Sequence, residues 1–233
     1  MQKRRQKLTV IIVTLALVVF IPLLIVLPPV PSIYGSFKPV ILYYDYENLP
    51  FNATQFPGIV NSTLQHHFNV LMLVVYFDHK MIFNQSTIEY FYSYSISKNL
   101  TFVPSYYIES LTDRFNVSGF PWVNLDLERI APNRQSFFYT RVEAQSSGMV
   151  SVTSPYAQPV YYSPPIDIVE TYSSTPWFWF LQLGYWHPGH ICSVASWLVK
   201  SQQEYDFEKN YCLKYTGGVM VFDYSNLLKS HLN

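Results

Sequence analysis

The stretch Pro121-Trp122-Val123-Asn124-Leu125-Asp126-Leu127-Glu128-Arg129 alternates apolar and polar residues from Trp122 to Glu128. A period of two marks a strand with one polar face. Asn124, Asp126 and Glu128 therefore project to the same side, roughly 6–7 Å apart along the strand. A row of acids on a sheet face costs free energy unless something uses it. Carboxylates in such a row can acquire the perturbed pKa values that general acid catalysis needs.

Similar apolar, β-branched and aromatic runs recur at fairly even spacing on both sides of this stretch. With it they make eight predicted strands: Val40–Tyr44, Val70–Phe77, Thr101–Tyr106, Trp122–Glu128, Met149–Thr153, Ile166–Thr171, Ile191–Ala195 and Gly218–Asp223. Ser86–Ser97, Arg134–Ala144, Pro176–Leu183 and Val199–Lys209 read as helices between them, and Leu227–Leu232 as a closing helix. Eight strands alternating with helices predict a small (β/α)₈ TIM-type barrel over residues 39–233, in the α/β class. An open α/β sheet is the second architecture this order allows. No Gly-x-Gly-x-x-Gly or Walker-type loop follows an early strand, so no nucleotide cofactor is expected.

The segment before the barrel has a different character. Lys3, Arg4, Arg5 and Lys7 precede an uncharged apolar run from Leu8 to Leu27. Twenty such residues match the length of a membrane-spanning helix, and the basic flank orients it with the C-terminal part outside. The expected order is a cytoplasmic flank (1–7), a transmembrane signal anchor (8–27), a Pro-rich spacer (28–38) and an extracellular domain. A cleaved signal peptide is the alternative, but Pro28-Pro29-Val30-Pro31 makes a poor cleavage site.

Five sequons, at Asn52, Asn61, Asn84, Asn99 and Asn116, fit a glycosylated outer surface. Cys192 and Cys212 are the only cysteines and can either form one disulfide or remain two buried thiols. Charged residues are only 13% of the chain, against twenty tyrosines. With the basic flank set aside, eleven basic side chains face fifteen acidic ones, which excludes nucleic acid as a partner. A surface built from Tyr, Ser, Thr and Asn keeps its interactions as pH changes. Such a surface suits an acidic exterior, such as that of an acidophilic archaeon.

In a barrel, catalytic groups stand at the C-terminal ends of strands. Those positions hold Tyr44 with Asp45, Phe77 with Asp78, Tyr106 with Tyr107, Asp126 with Glu128, Glu170 with Tyr172, Ser196 with Trp197, and Asp223 with Tyr224. Rings that stack on sugars and carboxylates that protonate glycosidic oxygens point to a glycan as partner. His66, His67 and His79 make no ligand spacing with a cysteine, so no metal is expected.

These residues resemble glycoside hydrolase family 18, the chitinases and endo-β-N-acetylglucosaminidases. The family's fourth-strand pattern D-G-x-D-x-D-x-E falls on Pro121, Trp122, Asn124, Asp126 and Glu128, of which the last two match. Gly217-Gly218-Val219-Met220-Val221-Phe222-Asp223-Tyr224 is similar to the family's G-G-x-M-x-W segment, with Phe222 replacing Trp. Val169-Glu170-Thr171-Tyr172 offers the family's sixth-strand tyrosine as Tyr172, in a different order. The resemblance implies substrate-assisted retaining hydrolysis of N-acetylhexosamine-containing glycans. Glu128 would be the general acid, Asp126 would orient the oxazolinium and Tyr172 would bind the acetamido group. Tyr44, Asn124, Glu170, Phe222 and Asp223 complete the expected substrate-binding set. The common two-carboxylate retaining barrels place a second Glu at the end of strand seven. None stands there in this chain, which leaves Glu170 or Asp223 as a partner acid. A non-catalytic glycan-binding or structural barrel, or an accessory ectodomain of a membrane complex, is the alternative. Glu128 in an open cleft beside Asp126 is what separates the hydrolase from these.

Overall fold

A computed structural model describes residues 37–47, 49–155, 165–170 and 189–224. The expected membrane helix (8–27), the spacer as far as residue 36, Tyr172 and the helices Pro176–Leu183 and Leu227–Leu232 lie outside the described residues. Among the described residues no helix is long and apolar enough to cross a membrane.

Eight parallel strands follow one another around a single sheet. They are β1 (Val40–Tyr44), β2 (Val70–Phe77), β3 (Thr101–Tyr107), β4 (Trp122–Asp126), β5 (Met149–Ser154), β6 (Ile166–Val169), β7 (His190–Ala195) and β8 (Val219–Phe222). β1 pairs with β2 through Ile41 and Val70, and with β8 through Val40 and Val219. The sheet is therefore closed, as the TIM-type barrel requires, and the open-sheet alternative is excluded. At the closing seam, a Cβ on Gly218 would lie 2.5 Å from the Pro39 carbonyl oxygen, so the approach of these two chains depends on glycine there.

Helices α1 (Phe56–Gln65), α2 (Gln85–Ser97), α3 (Pro132–Glu143) and α4 (Gln202–Tyr215) pack outside the sheet. The sequence reading missed α1 because it opens Phe56-Pro57-Gly58, which looks like a break. Proline in the first helical turn removes only an amide that lacks a partner there anyway. α4 starts later than expected because the Ser201 hydroxyl accepts from the Glu204 amide and caps the helix there. A short strand, Lys80–Met81, folds back antiparallel on the end of β2. The turn between them, Asp78-His79, has positive φ at both residues (51° and 61°).

Strand alternation divides the apolar residues into two layers. Ile41, Tyr43, Met72, Val74, Val103, Trp122, Ile168 and Met220 fill the barrel lumen. Leu42, Tyr44, Leu71, Leu73, Val123, Leu125, Val150 and Val194 face outward against Phe56, Phe91, Phe138 and Tyr205 of the helices. The five sequon asparagines are all exposed.

Cys192 of β7 and Cys212 of α4 are bonded, with Cα atoms 5.6 Å apart. The bond ties a helix to the sheet at a point where both side chains are fully buried. It closes a loop with a sequence separation of 20, for which chain entropy gives about 3 kcal/mol. Cys212→Ser should therefore lower the unfolding free energy by about that amount, read from the denaturant midpoint together with a slope that rises as the unfolded chain is released.

Candidate active site at the barrel mouth

Residue parity decides what reaches the mouth. Inward-facing positions on β4 are Trp122, Asn124 and Asp126; on β1 they are Ile41 and Tyr43. Asp126 is 1% exposed, and its Oδ2 accepts from the Tyr43 hydroxyl at 2.6 Å. Its Oδ1 accepts from the Glu128 backbone amide at 3.3 Å, so the chain bends back over Asp126 as β4 ends. That bend leaves Glu128 beyond the strand and exposed, whereas the sequence reading carried the strand through it.

Glu170 follows β6 and is 5% exposed. One carboxylate oxygen from each of Asp126, Glu128 and Glu170 falls within 4.8 Å of the others. A small pocket of about 80 Å³ opens beside them, lined by Tyr43, Asp45, Glu47, Val74, Phe77, Tyr107, Asp126, Glu128 and Phe222. The Phe222 ring lies 4.8 Å from Tyr43 and 5.3 Å from Trp197, giving an aromatic wall that ends in the exposed Trp197 indole. Tyr107 donates to Glu128 Oε2 at a long 3.4 Å and accepts from Arg129 Nε at 2.9 Å.

Burial is the main reason the Asp126 carboxyl is pushed up from 3.8 to about 7. The Tyr43 hydrogen bond pulls the other way, and the nearby Glu128 and Asp45 charges add to the rise. Tyr43 is itself held well above its ordinary value by burial and by Asp126. The mouth thus holds one carboxyl that can be protonated near neutrality, next to an exposed one. Three oxygen donors this close could also bind a hard cation such as Mg²⁺ or Ca²⁺.

The structure brings four expected site residues together: Asp126, Glu128, Glu170 and Phe222. Three others are placed elsewhere. Asn124 is fully buried below the mouth. Its amide donates to Ser105, and its carbonyl oxygen accepts from Ser151 and Thr153, so it joins three strands across the lumen. Tyr44 points outward, donates to the Leu49 carbonyl and stacks on Tyr224 at 4.9 Å. Asp223 is buried, its backbone amide and carbonyl both held by the Ser196 hydroxyl. Tyr43 is the site residue the sequence reading missed. Its signal was parity: Ile41, Tyr43 and Asp45 share a strand face, and Tyr44 lies on the other.

Because the folded-state value of Asp126 lies above its ordinary one, the stability it contributes is complete below about pH 4. That contribution is lost as pH rises through about 7. Asp126→Asn should flatten the fall in unfolding midpoint across this window. Tyr43→Phe removes a bond that favours the ionised form, so Asp126 should titrate at higher pH than in the parent, as carboxyl carbon NMR would read directly.

No family model matches this sequence, and no curated protein matches it. Solved structures do. The GH36 α-galactosidase AgaA from Geobacillus stearothermophilus superposes with a TM-score of 0.55 and 10% identity, covering 88% of this chain and 41% of its own. A GH113 β-1,4-mannanase superposes with a TM-score of 0.53 and 7% identity, covering 85% of this chain and 89% of its own. The chain thus spans well under half of the galactosidase. At these identities the likeness is one of fold. Both neighbours are glycoside hydrolases, and neither belongs to family 18, so the chain shares the TIM-type barrel of such enzymes without being placed in that family.

Proposed function

We propose that this chain is a retaining glycoside hydrolase acting on N-acetylhexosamine-containing glycans, held outside the cell by its N-terminal helix. One observation carries the catalytic part: an exposed Glu128 with its carboxylate within 4.8 Å of the buried Glu170 and Asp126, at the C-terminal mouth of the barrel. Retaining enzymes hold their two carboxyl groups roughly 5–5.5 Å apart, and inverting ones roughly 6.5–9.5 Å apart to admit a water. The spacing here fits retention. In this reading Glu128 gives its proton to the glycosidic oxygen as the bond to the anomeric carbon breaks. Glu170 attacks that carbon and forms a glycosyl ester. Glu128, now ionised, takes a proton from water, which displaces Glu170 and regenerates both groups.

A second route to retention is favoured by Asp126. In the substrate-assisted reaction the substrate's acetamido oxygen replaces Glu170 as nucleophile, and an acid beside Glu128 stabilises the resulting oxazolinium. Asp126 has the right neighbour for this, and it would stabilise the cation in its ionised form, which the Tyr43 hydroxyl favours and burial opposes. An inactive glycan-binding barrel is the remaining reading. The open position of Glu128 favours a hydrolase over it.

The assay is chromophore release from matched glucosides and N-acetylglucosaminides, with anomeric configuration followed by NMR. Retention is expected. Glu128→Gln should lose roughly 10²–10⁴-fold in turnover while glycan binding survives. Glu170→Gln should lose as much if it is the nucleophile. A small effect there, with strict dependence on the acetamido group, would select the substrate-assisted route. Equal rates for the parent and Glu128→Gln would overturn the assignment of the acid.

A further inference from the structure

The sequence contains four arginines after Arg5, and all fall between residues 114 and 141. Two of them are taken up by backbone carbonyls. Arg114 donates to the carbonyls of Asp113 and Leu111, and Arg141 donates to the carbonyl of Asp113, fixing the loop after β3. The other two line a groove to which that loop contributes Leu111. This groove, of about 370 Å³, lies between Glu109, Ser110 and Leu111 on one side and Arg129, Ile130, Ala131 and Arg134 on the other. This is several times the volume of the pocket at the acids and within the range of small-ligand sites.

The charge balance in the groove runs against the acidic trend of the exterior domain. Among the lining residues Arg129 and Arg134 stand with one acid, Glu109, whose Oε2 already accepts from the Asp78 amide; Arg129 also feels the charge of Glu128 next to it. The first turn of α3, which carries Arg134, contains no acid. Arg129 donates from its Nε to the Tyr107 hydroxyl and lines the groove. Arginine forks recognise planar anions such as carboxylate and sulfate in a bidentate manner. Leu111 and Ile130 supply the apolar surface that a sugar face needs, and Ser110 a hydroxyl. The groove starts at the residue after Glu128, so a chain cleaved at Glu128 would lay its neighbouring sugar there.

We propose that this groove is a subsite for an acidic sugar, one whose carboxylate or sulfate is held by Arg129 and Arg134. The inference rests on the glycoside hydrolase reading and makes its substrate an anionic glycan rather than a neutral one.

The test is calorimetric titration of the full chain carrying Glu128→Gln, which leaves the glycan uncut. The probes are chitotetraose, which is neutral, a hyaluronan tetrasaccharide, which carries glucuronate, and a chondroitin sulfate tetrasaccharide, which carries sulfate as well. One or both acidic probes should bind about tenfold or more tightly than chitotetraose, and added salt should erode that preference. The better acidic probe identifies which anion the fork takes. Arg134→Gln, at an exposed position outside the catalytic cluster, should remove about tenfold of affinity for the acidic probe and leave chitotetraose unchanged. Arg134→Lys should restore only part of it. Equal affinity for neutral and acidic probes, no binding of any probe, or equal loss on all probes in Arg134→Gln would overturn the subsite. Selective acidic binding with no turnover by the parent protein would uphold the subsite and remove the hydrolase reading. Turnover of neutral glycans without an acidic preference would do the reverse.

Discussion

Closure of the sheet through β1, which hydrogen-bonds to β2 on one side and β8 on the other, sends alternate residues of eight strands into one lumen. A residue's parity then fixes its chemical setting. Inward residues lose water on all sides. Outward ones pack on helices that are themselves half apolar. The seam tolerates little change, since Gly218 passes directly over Pro39 and the Asn69 side chain bonds both the amide of Val40 and the carbonyl of Lys38.

The lumen is not wholly apolar, and its polar middle explains how an acid can stand above it. Asn124 gathers Ser105, Ser151 and Thr153 at its amide, and Trp122 donates to Ser151. Each buried polar group there has a partner, so the network avoids the penalty of unsatisfied donors and acceptors. One layer higher, Asp126 receives Tyr43 and the Glu128 amide. Two hydrogen bonds do not offset full desolvation, so its carboxyl moves toward the protonated form. Asp126 thus stands on a satisfied polar floor, and its depth favours its protonated form, while Glu128 stands exposed beside it.

Much of this was legible in the chain. The eight strands were readable because apolar, β-branched and aromatic runs recur at fairly even spacing, and β1 and β2 match their expected bounds. The β4 row was readable because Asn124, Asp126 and Glu128 alternate with Val123, Leu125 and Leu127. Other features were hidden for physical reasons. The start of α1 was masked by Pro57 and Gly58, whose effect depends on position in the helix. Asn124 fell on a position where the catalytic pattern has Asp, yet its depth in the lumen makes it a cross-strand tie, and depth is a property of the closed barrel. Tyr44 was chosen over Tyr43 because both end the same strand, and only strand parity separates them. The arginine groove could not be seen at all. It depends on the loop after β3 meeting the start of α3, two segments joined only through the fold.

The charges near the mouth also define a pH range. His79, in the turn after β2, bonds Asp113 in the loop after β3 at 2.7 Å, joining two loops of the rim. That bond holds the His79 imidazole above its ordinary 6.5, so its contribution is complete below about that pH and is lost as pH rises through the folded value. Asp113 behaves in the opposite sense. Burial pushes it up, but His79 and the amides of Ser110 and Glu109 outweigh burial and hold it below 3.8. Its contribution is present above that value and is lost as pH falls through the lowered one. Asp126 favours the acidic side as well. The three groups together are best satisfied at about pH 4, where the rim ion pair is intact and the contribution of Asp126 has not yet begun to fall. Mild acidity, and not neutrality, is therefore the condition under which these three groups of the mouth and its rim hold together best.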